Sequence, residues 1–182
     1  MIRSRLLSCL PQFGRGHRGV LRDAVAGIAL LCALGSDVHA NLRIGFVEQE
    51  TVCLPGISAV AYALDAGMPE RGQIYAFHPP ELVHRLGVFP ADIVFVKRAA
   101  GLPGDRIEVS LDEGISVNGA VVTRGLPLAA RLGTPIPDLE RTFIVPEAHV
   151  FFLGETEDSL DGRYFGAVEI STHGIGRGWA LW

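Results

Sequence analysis

From about Leu42 onward, short apolar runs alternate with turn residues, and this alternation restricts the chain to a β-rich fold. Asn118-Gly119 lies between the apolar runs 115–117 and 121–122, and a two-residue hairpin turn of this kind favours positive φ at both positions. Residues 102–105, Leu-Pro-Gly-Asp, predict a second tight turn, because proline fixes one φ angle and glycine frees the next. Brief strands joined by such turns build a β-barrel or a β-sandwich.

Seven apolar runs have the length and the turn-bounded pattern of strands. They are residues 57–64, 73–77, 93–99, 106–109, 115–117, 121–123 and 149–153. In this part of the chain, only residues 126–132 are predicted to be helical. We therefore predict a mainly β domain at residues 42–182, preceded by a short N-terminal hydrophobic segment.

The N-terminal segment carries a basic flank and then an apolar run at residues 24–34. The basic residues of the flank are Arg3, Arg5, Arg15, His17, Arg18 and Arg22. This order is the positive-inside pattern, which keeps a basic tail in the cytoplasm and exports the chain beyond the apolar run. The run is shorter than the roughly 20 residues that cross a bilayer. Residues 1–41 are therefore either a basic tail with a short membrane anchor or a signal segment cleaved after residues 38–40, Val-His-Ala.

Composition and charge exclude several classes of partner. A chain of 182 residues is long enough for one domain with a core. Its net charge of -4 and the lack of a long basic run argue against nucleic-acid binding. The six His are scattered and no Cys/His cluster has metal-ligand spacing, so we expect neither a metal nor an organic cofactor. Cys53 would be the lone thiol of the exported domain, either reactive or simply buried.

Lys97 is the first candidate for chemistry. It comes after the apolar residues 93–96, and alternate residues of a strand share a face, so its side chain is expected beside Phe95 and Ile93. A lysine amine kept away from water loses part of its preference for the charged form, which suits a general base. The alternative is a strand-end lysine whose amine reaches solvent.

A polar loop at residues 154–166 is the second candidate. It comes after the apolar run 150–153 and is rich in hydrogen-bonding side chains. Asp161 and Arg163 are placed to pair, and Ser159 is able to bond a lysine amine. The alternative interpretation is an exposed acidic loop without a role in chemistry.

Together the two segments resemble the type I signal peptidase family. Residues 96–106, Val-Lys-Arg-Ala-Ala-Gly-Leu-Pro-Gly-Asp-Arg, match the lysine-bearing strand and turn of that family. The later loop matches the family's Ser-x-Asp-x-Arg-x-x-Gly pattern at Ser159, Asp161, Arg163 and Gly166, with Gly154 ahead of it. Glu155 and Thr156 stand where the family has Asp-Asn, and residues 71–73 are Arg-Gly-Gln instead of Arg-Gly-Asp. The resemblance implies a compact signal-peptidase-like β-barrel or sandwich.

The compact domain and residues 179–182, Trp-Ala-Leu-Trp, resemble the conjugative-transfer branch of this superfamily, the TraF-type peptidases that process pilins. This resemblance implies a membrane-associated endopeptidase that cleaves leader sequences of exported precursors. The partners would be a precursor polypeptide, such as a conjugative pilin, and the bacterial inner membrane. The catalytic domain would lie on the periplasmic side.

The family's nucleophile is a serine shortly before a proline, and residues 53–55, Cys-Leu-Pro, are the only match in the predicted exported domain, with cysteine in the place of serine. The resemblance implies Cys53 as nucleophile, Lys97 as general base and Ser159 as the residue that orients Lys97. Asp161 and Arg163 would brace the loop. Ser58 is an alternative nucleophile, although no proline comes closely after it.

Two other functions compete with catalysis. A catalytically inactive scaffold of a conjugation or secretion apparatus would keep the fold without a nucleophile, and it predicts that Cys53 and Lys97 lie apart or that Lys97 is ion-paired. A self-cleaving repressor shares the fold and the Ser-Lys chemistry. The basic, apolar N-terminus and the missing helix-turn-helix argue against the repressor.

Overall fold

The computed structural model describes residues 25, 27, 28, 35, 42–46, 53–63, 67–133 and 139–181. Backbone contacts divide the chain into two compact units, Met1–Ala40 and Asn41–Trp182. The described residues of the first unit are helical. None of the helices in the described residues is long and apolar enough to cross a membrane. The basic flank and the predicted cleavage sequence at 38–40 lie outside the described residues.

The second unit is built from strands, which confirms the predicted mainly β fold. Its described strands are β1 (Leu42–Phe46), β2 (Ala59–Ala63), β3 (Ile74–Phe77), β4 (Phe95–Gly101), β5 (Arg106–Ser110), β6 (Gly114–Val117), β7 (Ala120–Thr123), β8 (Arg141–Ile144), β9 (His149–Leu153), β10 (Ala167–Glu169) and β11 (Gly176–Ala180). Four short helices accompany them: α1 (Glu81–His84), α2 (Ala129–Leu132), α3 (Gly162–Phe165) and α4 (Ile170–His173).

Local sequence explains the sharpest turns. Asn118 and Gly119 have φ angles of 53° and 81°, and the Val117–Ala120 pair closes the predicted two-residue hairpin between β6 and β7. Gly104 has a φ of 86°, so the predicted turn between β4 and β5 uses a conformation that favours glycine. The predicted helix at 126–132 is shorter than expected, since α2 begins at Ala129.

The strands form two antiparallel sheets. The larger sheet has the order β1-β2-β11-β3-β4-β9-β10, and the smaller has the order β7-β6-β5-β8. The long strand β4 lies inside the larger sheet, between β3 and β9. Buried and half-buried residues alternate along β4. Since successive side chains of a strand point to opposite faces, every second side chain of β4 lies in the protein interior.

Strand β9 lies between two hydrophobic cores. Phe151 packs with residues of the smaller sheet, among them Ile107 and Ile115. Phe152 packs on the other side with Tyr75 and residues of β3 and β4. Successive residues of a strand point to opposite faces, so a strand that is buried on both faces reads as a continuous apolar run. The loop that carries the polar motif leaves the carboxyl end of this well-packed strand.

Candidate active site

Lys97 lies on the buried face of β4 and is only 3% exposed. Its backbone pairs with Tyr75 of β3. The amine lies 5.2 Å from the centre of the Phe95 ring and donates a hydrogen bond of 3.0 Å to the hydroxyl oxygen of Ser159. Across the described residues, Lys97 forms no ion pair. The lysine is therefore held in an apolar interior by a neutral partner.

Ser159 belongs to a loop that wraps around a buried guanidinium. Arg163 is 0% exposed, and its side chain donates to the backbone carbonyls of Thr156, Glu157 and Ser159. Burial lowers the pKa of Arg163, but the hydrogen bonds and the charge of Asp161 outweigh this effect and raise the pKa above its usual value. The cation thus fixes the backbone on both sides of Ser159.

Asp161 completes this unit. It is 0% exposed, and its carboxylate accepts two hydrogen bonds from the side chain of Arg163, at 2.9 and 2.8 Å. It also accepts the backbone N–H of Gly154 at 2.9 Å and the N–H of Arg163 at 3.1 Å. The bond from the backbone N–H of Arg163 to Asp161 caps the amino end of α3. The structure therefore places Asp161 and Arg163 together, where they brace the loop as a buried ion pair.

Gly154 is the point where the loop, the lysine partner and the Cys53 segment meet. A Cβ atom at this position would lie 2.6 Å from Ser159 Cβ and 3.2 Å from the backbone oxygen of Cys53. The Ser159 hydroxyl would be closer still. Any side chain at residue 154 would therefore push Ser159 or Cys53 from its position.

Cys53 is attached to this loop through its backbone. The N–H of Glu155 donates a hydrogen bond of 2.8 Å to the carbonyl of Cys53. A turn comes next, in which Ile57 N–H bonds to the Leu54 carbonyl and Gly56 has a φ of 81°. Proline and glycine at the two central positions suit a type II turn, so local sequence sets the direction of the chain after Cys53. Cys53 is a free, half-buried cysteine.

Ser58 is exposed, directly before β2. The turn at residues 54–57 separates Ser58 from Cys53, and it is Cys53 whose carbonyl accepts the hydrogen bond from Glu155 of the polar loop. The structure thus brings the backbone of Cys53 to the Ser159 loop, and Ser159 to Lys97.

Two arginines contribute contacts that the sequence did not indicate. Arg98 lies next to Lys97 in β4 and pairs through Nε with the Glu155 carboxylate, which ties the lysine strand to the loop. Arg141 of β8 donates hydrogen bonds of 3.1 Å to the carbonyls of Gly162 and Arg163. Burial lowers the pKa of Arg141. No local pattern predicts either contact, since the partners of both arginines lie far away in sequence.

The described residues contain no group of three or more His, Cys, Asp or Glu side chains that could hold a metal ion. The chemistry available from the residues of this site is that of a thiol, an amine, a hydroxyl and the backbone N–H groups beside them.

Comparison with known proteins identifies the family of the chain. The family model described as signal peptidase, peptidase S26, matches residues 43–182. The chain belongs to this family. Two relatives from Synechocystis sp. are each 33% identical to it: Probable signal peptidase I-1 over 97 residues and Probable signal peptidase I-2 over 104 residues. These alignments cover 53% and 55% of this chain but only 45% and 42% of the relatives, so the chain matches less than half of their length.

A crystal structure of a signal peptidase I from Enterococcus faecalis V583 is also similar. It shares 26% sequence identity with the chain, with a TM-score of 0.36. The match covers 59% of this chain and 95% of that structure.

Proposed function

We propose that this member of the signal peptidase family is an endopeptidase that cleaves leader sequences of exported precursors through a Cys53–Lys97 dyad. One observation carries the proposal. The buried amine of Lys97 bonds to Ser159, in the same loop that bonds the backbone of Cys53. Lys97 is also the only lysine in the chain, so no other lysine is available as a base.

The proposed reaction is acyl transfer. The thiol of Cys53 gives its proton to the Lys97 amine, and Sγ attacks the carbonyl carbon of the scissile peptide bond. The backbone N–H of Cys53 stabilises the negative charge that develops on the carbonyl oxygen. Lys97 then passes the proton to the leaving amine, and the C–N bond breaks to leave a thioester on Cys53. Water that Lys97 deprotonates hydrolyses the thioester and restores the thiol.

Cys53 is favoured over Ser58 as nucleophile because of the backbone bond between Glu155 and Cys53. This bond limits the movement of Cys53 relative to the Ser159 loop, and positioning of reacting groups is a large part of catalysis. The absence of an ion pair at Lys97 among the described residues also favours an enzyme over an inactive scaffold, because a permanently paired lysine could not act as a base.

An exposed apolar face supports a membrane as partner. Ile44 of β1 and Trp179 of β11 both pair with Ala61 of β2, so their side chains lie on one face of the sheet, and they are 57% and 47% exposed. Phe46 continues this face and is 69% exposed. Large exposed apolar patches mark interaction surfaces. We propose the bacterial inner membrane as the partner, with Asn41–Trp182 on the periplasmic side, and a conjugative pilin precursor as the substrate.

The test is processing of a co-expressed candidate pilin precursor by wild type and by Cys53→Ala, Ser58→Ala and Lys97→Ala. We expect Cys53→Ala and Lys97→Ala to abolish processing, while Ser58→Ala keeps it. An unchanged rate of precursor processing in all three variants would overturn the proposed peptidase activity and would favour the inactive scaffold. Loss of processing with Ser58→Ala, and not with Cys53→Ala, would identify Ser58 as the nucleophile.

Alkylation gives an independent test of the thiol. Iodoacetamide should block processing by a Cys9→Ser/Cys32→Ser variant, in which Cys53 is the only remaining cysteine. The triple variant that also carries Cys53→Ser serves as control. Full activity of the alkylated protein, with the label mapped to Cys53 by mass spectrometry, would exclude Cys53 as nucleophile.

A further inference from the structure

Glu155 is bonded, through its backbone and through its side chain, to the two elements that carry the candidate dyad. Its backbone N–H donates a hydrogen bond of 2.8 Å to the carbonyl of Cys53. Its carboxylate pairs with Nε of Arg98, the residue after Lys97 in β4. One residue of the loop therefore connects the segment of the proposed nucleophile to the strand of the proposed base. This inference rests on the proposed function, because it concerns how the same two groups are held relative to each other.

The loop that begins after β9 contacts both faces of β4. Successive residues of a strand point to opposite faces, so the side chains of Lys97 and Arg98 lie on opposite faces of the larger sheet. Ser159 bonds Lys97 on one face, and Glu155 bonds Arg98 on the other. Two contacts on opposite faces limit the rotation of the loop about the strand. The Arg98–Glu155 contact thus restrains a movement that the Lys97–Ser159 bond alone would allow.

Arg98 is itself fixed at a second point. Its Nη1 donates a hydrogen bond of 3.0 Å to the carbonyl of Gly72, in the turn before β3. The N–H of Gly72 in turn bonds to the carbonyl of Ala99 in β4 at 2.8 Å. A planar guanidinium with several N–H donors is able to hold two partners at once. The group that binds the Glu155 carboxylate is therefore anchored to the sheet by a separate contact.

The Arg98–Glu155 ion pair is of a kind that contributes little to stability. Both side chains are 39% exposed, and exposed ion pairs add little to the free energy of folding. Catalysis is more sensitive to geometry, because a displacement of reacting groups by about 1 Å lowers a rate by up to about a hundredfold. We propose that Glu155 is a positioning residue, whose pairing with Arg98 holds the Cys53 backbone in a fixed place relative to the Lys97 strand.

Hydrogen exchange at the Glu155 amide tests this role without any substrate. Arg98→Gln removes the charged partner and leaves residue 155 unchanged, so the intrinsic exchange rate of its amide stays the same. In NMR of the full-length protein, this amide should exchange about threefold faster, or more, in Arg98→Gln than in wild type. Arg106→Gln breaks the exposed Arg106–Glu108 pair of the smaller sheet and, as matched control, should keep the wild-type rate. Equal exchange rates in wild type and Arg98→Gln would overturn the proposal.

Charge reversal tests the effect on the proposed reaction. Arg98→Glu and Glu155→Arg, each alone, should lower kcat for a purified candidate pilin precursor by about tenfold, with little change in KM. The double variant Arg98→Glu/Glu155→Arg should recover most of kcat, since it restores an ion pair at the same place. A double variant no more active than the single ones would contradict the positioning role.

The two measurements separate this inference from the proposed function. Faster exchange in Arg98→Gln, without any cleavage by wild type, would support the link between Glu155 and Cys53 and would count against the peptidase alone. Cleavage that needs Cys53 and Lys97 but is unchanged by Arg98→Glu would overturn the positioning role and leave the peptidase intact.

Discussion

The amine of Lys97 and the hydroxyl of Ser159 are joined by a buried hydrogen bond of 3.0 Å, although 62 residues separate them in sequence. The amine lies over the Phe95 ring, and both residues are almost completely excluded from solvent. Ser159 is thus the group that sets the direction of the amine, and changes at Ser159 or at its neighbours should affect catalysis through Lys97.

Ser159→Ala should lower kcat with little change in KM. It removes the partner of Lys97 and leaves Cys53 and the amine in place, so the loss should be about tenfold to a hundredfold, at or below the lower end of a full general-base contribution. Ser116→Ala is the control, because Ser116 is also buried and donates to Glu108 within the smaller sheet. Steady-state kinetics and urea unfolding of both variants separate catalysis from stability. Equal losses of kcat in the two variants would contradict the assigned role.

Gly154→Ala should reduce the proposed peptidase activity more strongly than it destabilises the fold. The added methyl group would collide with Ser159, and overpacking of this kind costs about 1–3 kcal/mol. Gly27→Ala is a suitable control, since nothing lies within 4 Å of a Cβ atom at that residue. Activity is measured as processing of the candidate pilin precursor, and stability by thermal unfolding. Wild-type kinetics in Gly154→Ala would show that the close approach to Ser159 is unimportant.

Asp161→Asn should be strongly destabilising. It leaves the guanidinium of Arg163 buried without a counter-charge, and breaking one partner of a buried pair costs about 3–5 kcal/mol. Glu70→Gln removes one partner of the exposed Arg177–Glu70 pair and should cost less than about 1 kcal/mol. Urea unfolding of the full chain compares the free energies of unfolding of the two variants directly. Similar costs for both would argue that the buried pair contributes little.

Asp105 should contribute to stability at neutral pH and lose this contribution in acid. Burial raises the pKa of Asp105, but the N–H of Leu102 and the side chains of Asn118 and Arg71 donate to its carboxylate and hold the pKa below its ordinary value of 3.8. A folded-state pKa below the unfolded one stabilises the protein above the unfolded pKa, and the effect disappears as pH falls through the folded pKa.

The check is the free energy of unfolding at pH 7 and in steps below about pH 4. Asp105→Asn should be less stable than wild type at pH 7, and the difference should shrink in acid. Val122→Ala, an exposed change without an ionisable group, should keep the wild-type pH dependence. A difference in the free energy of unfolding between wild type and Asp105→Asn that stays constant with pH would contradict this linkage.

Local sequence predicted the features that depend on a few neighbouring residues. The hairpin at Asn118-Gly119 and the turn at Gly104 have the positive φ angles that their residue types favour. The burial of Lys97 agrees with its place in an apolar strand. The strands β1, β8, β10 and β11 were not predicted. Strand β11 contains Gly176 and Gly178, which form poor strands by themselves, and its place between β2 and β3 comes from pairing with distant residues.

The sequence by itself determined the two motif segments, their turns and the class of fold, because turn chemistry and strand periodicity act over a few residues. Only the tertiary structure decided that Ser159 bonds Lys97 and that Gly154 lies against both Ser159 and the backbone of Cys53. The order of strands in a sheet depends on contacts between segments far apart in the chain, which local propensity does not encode. Here the pairing of β4 with β9 carries the polar loop to Lys97, and the hydrogen bond from Glu155 brings the Cys53 backbone to that loop.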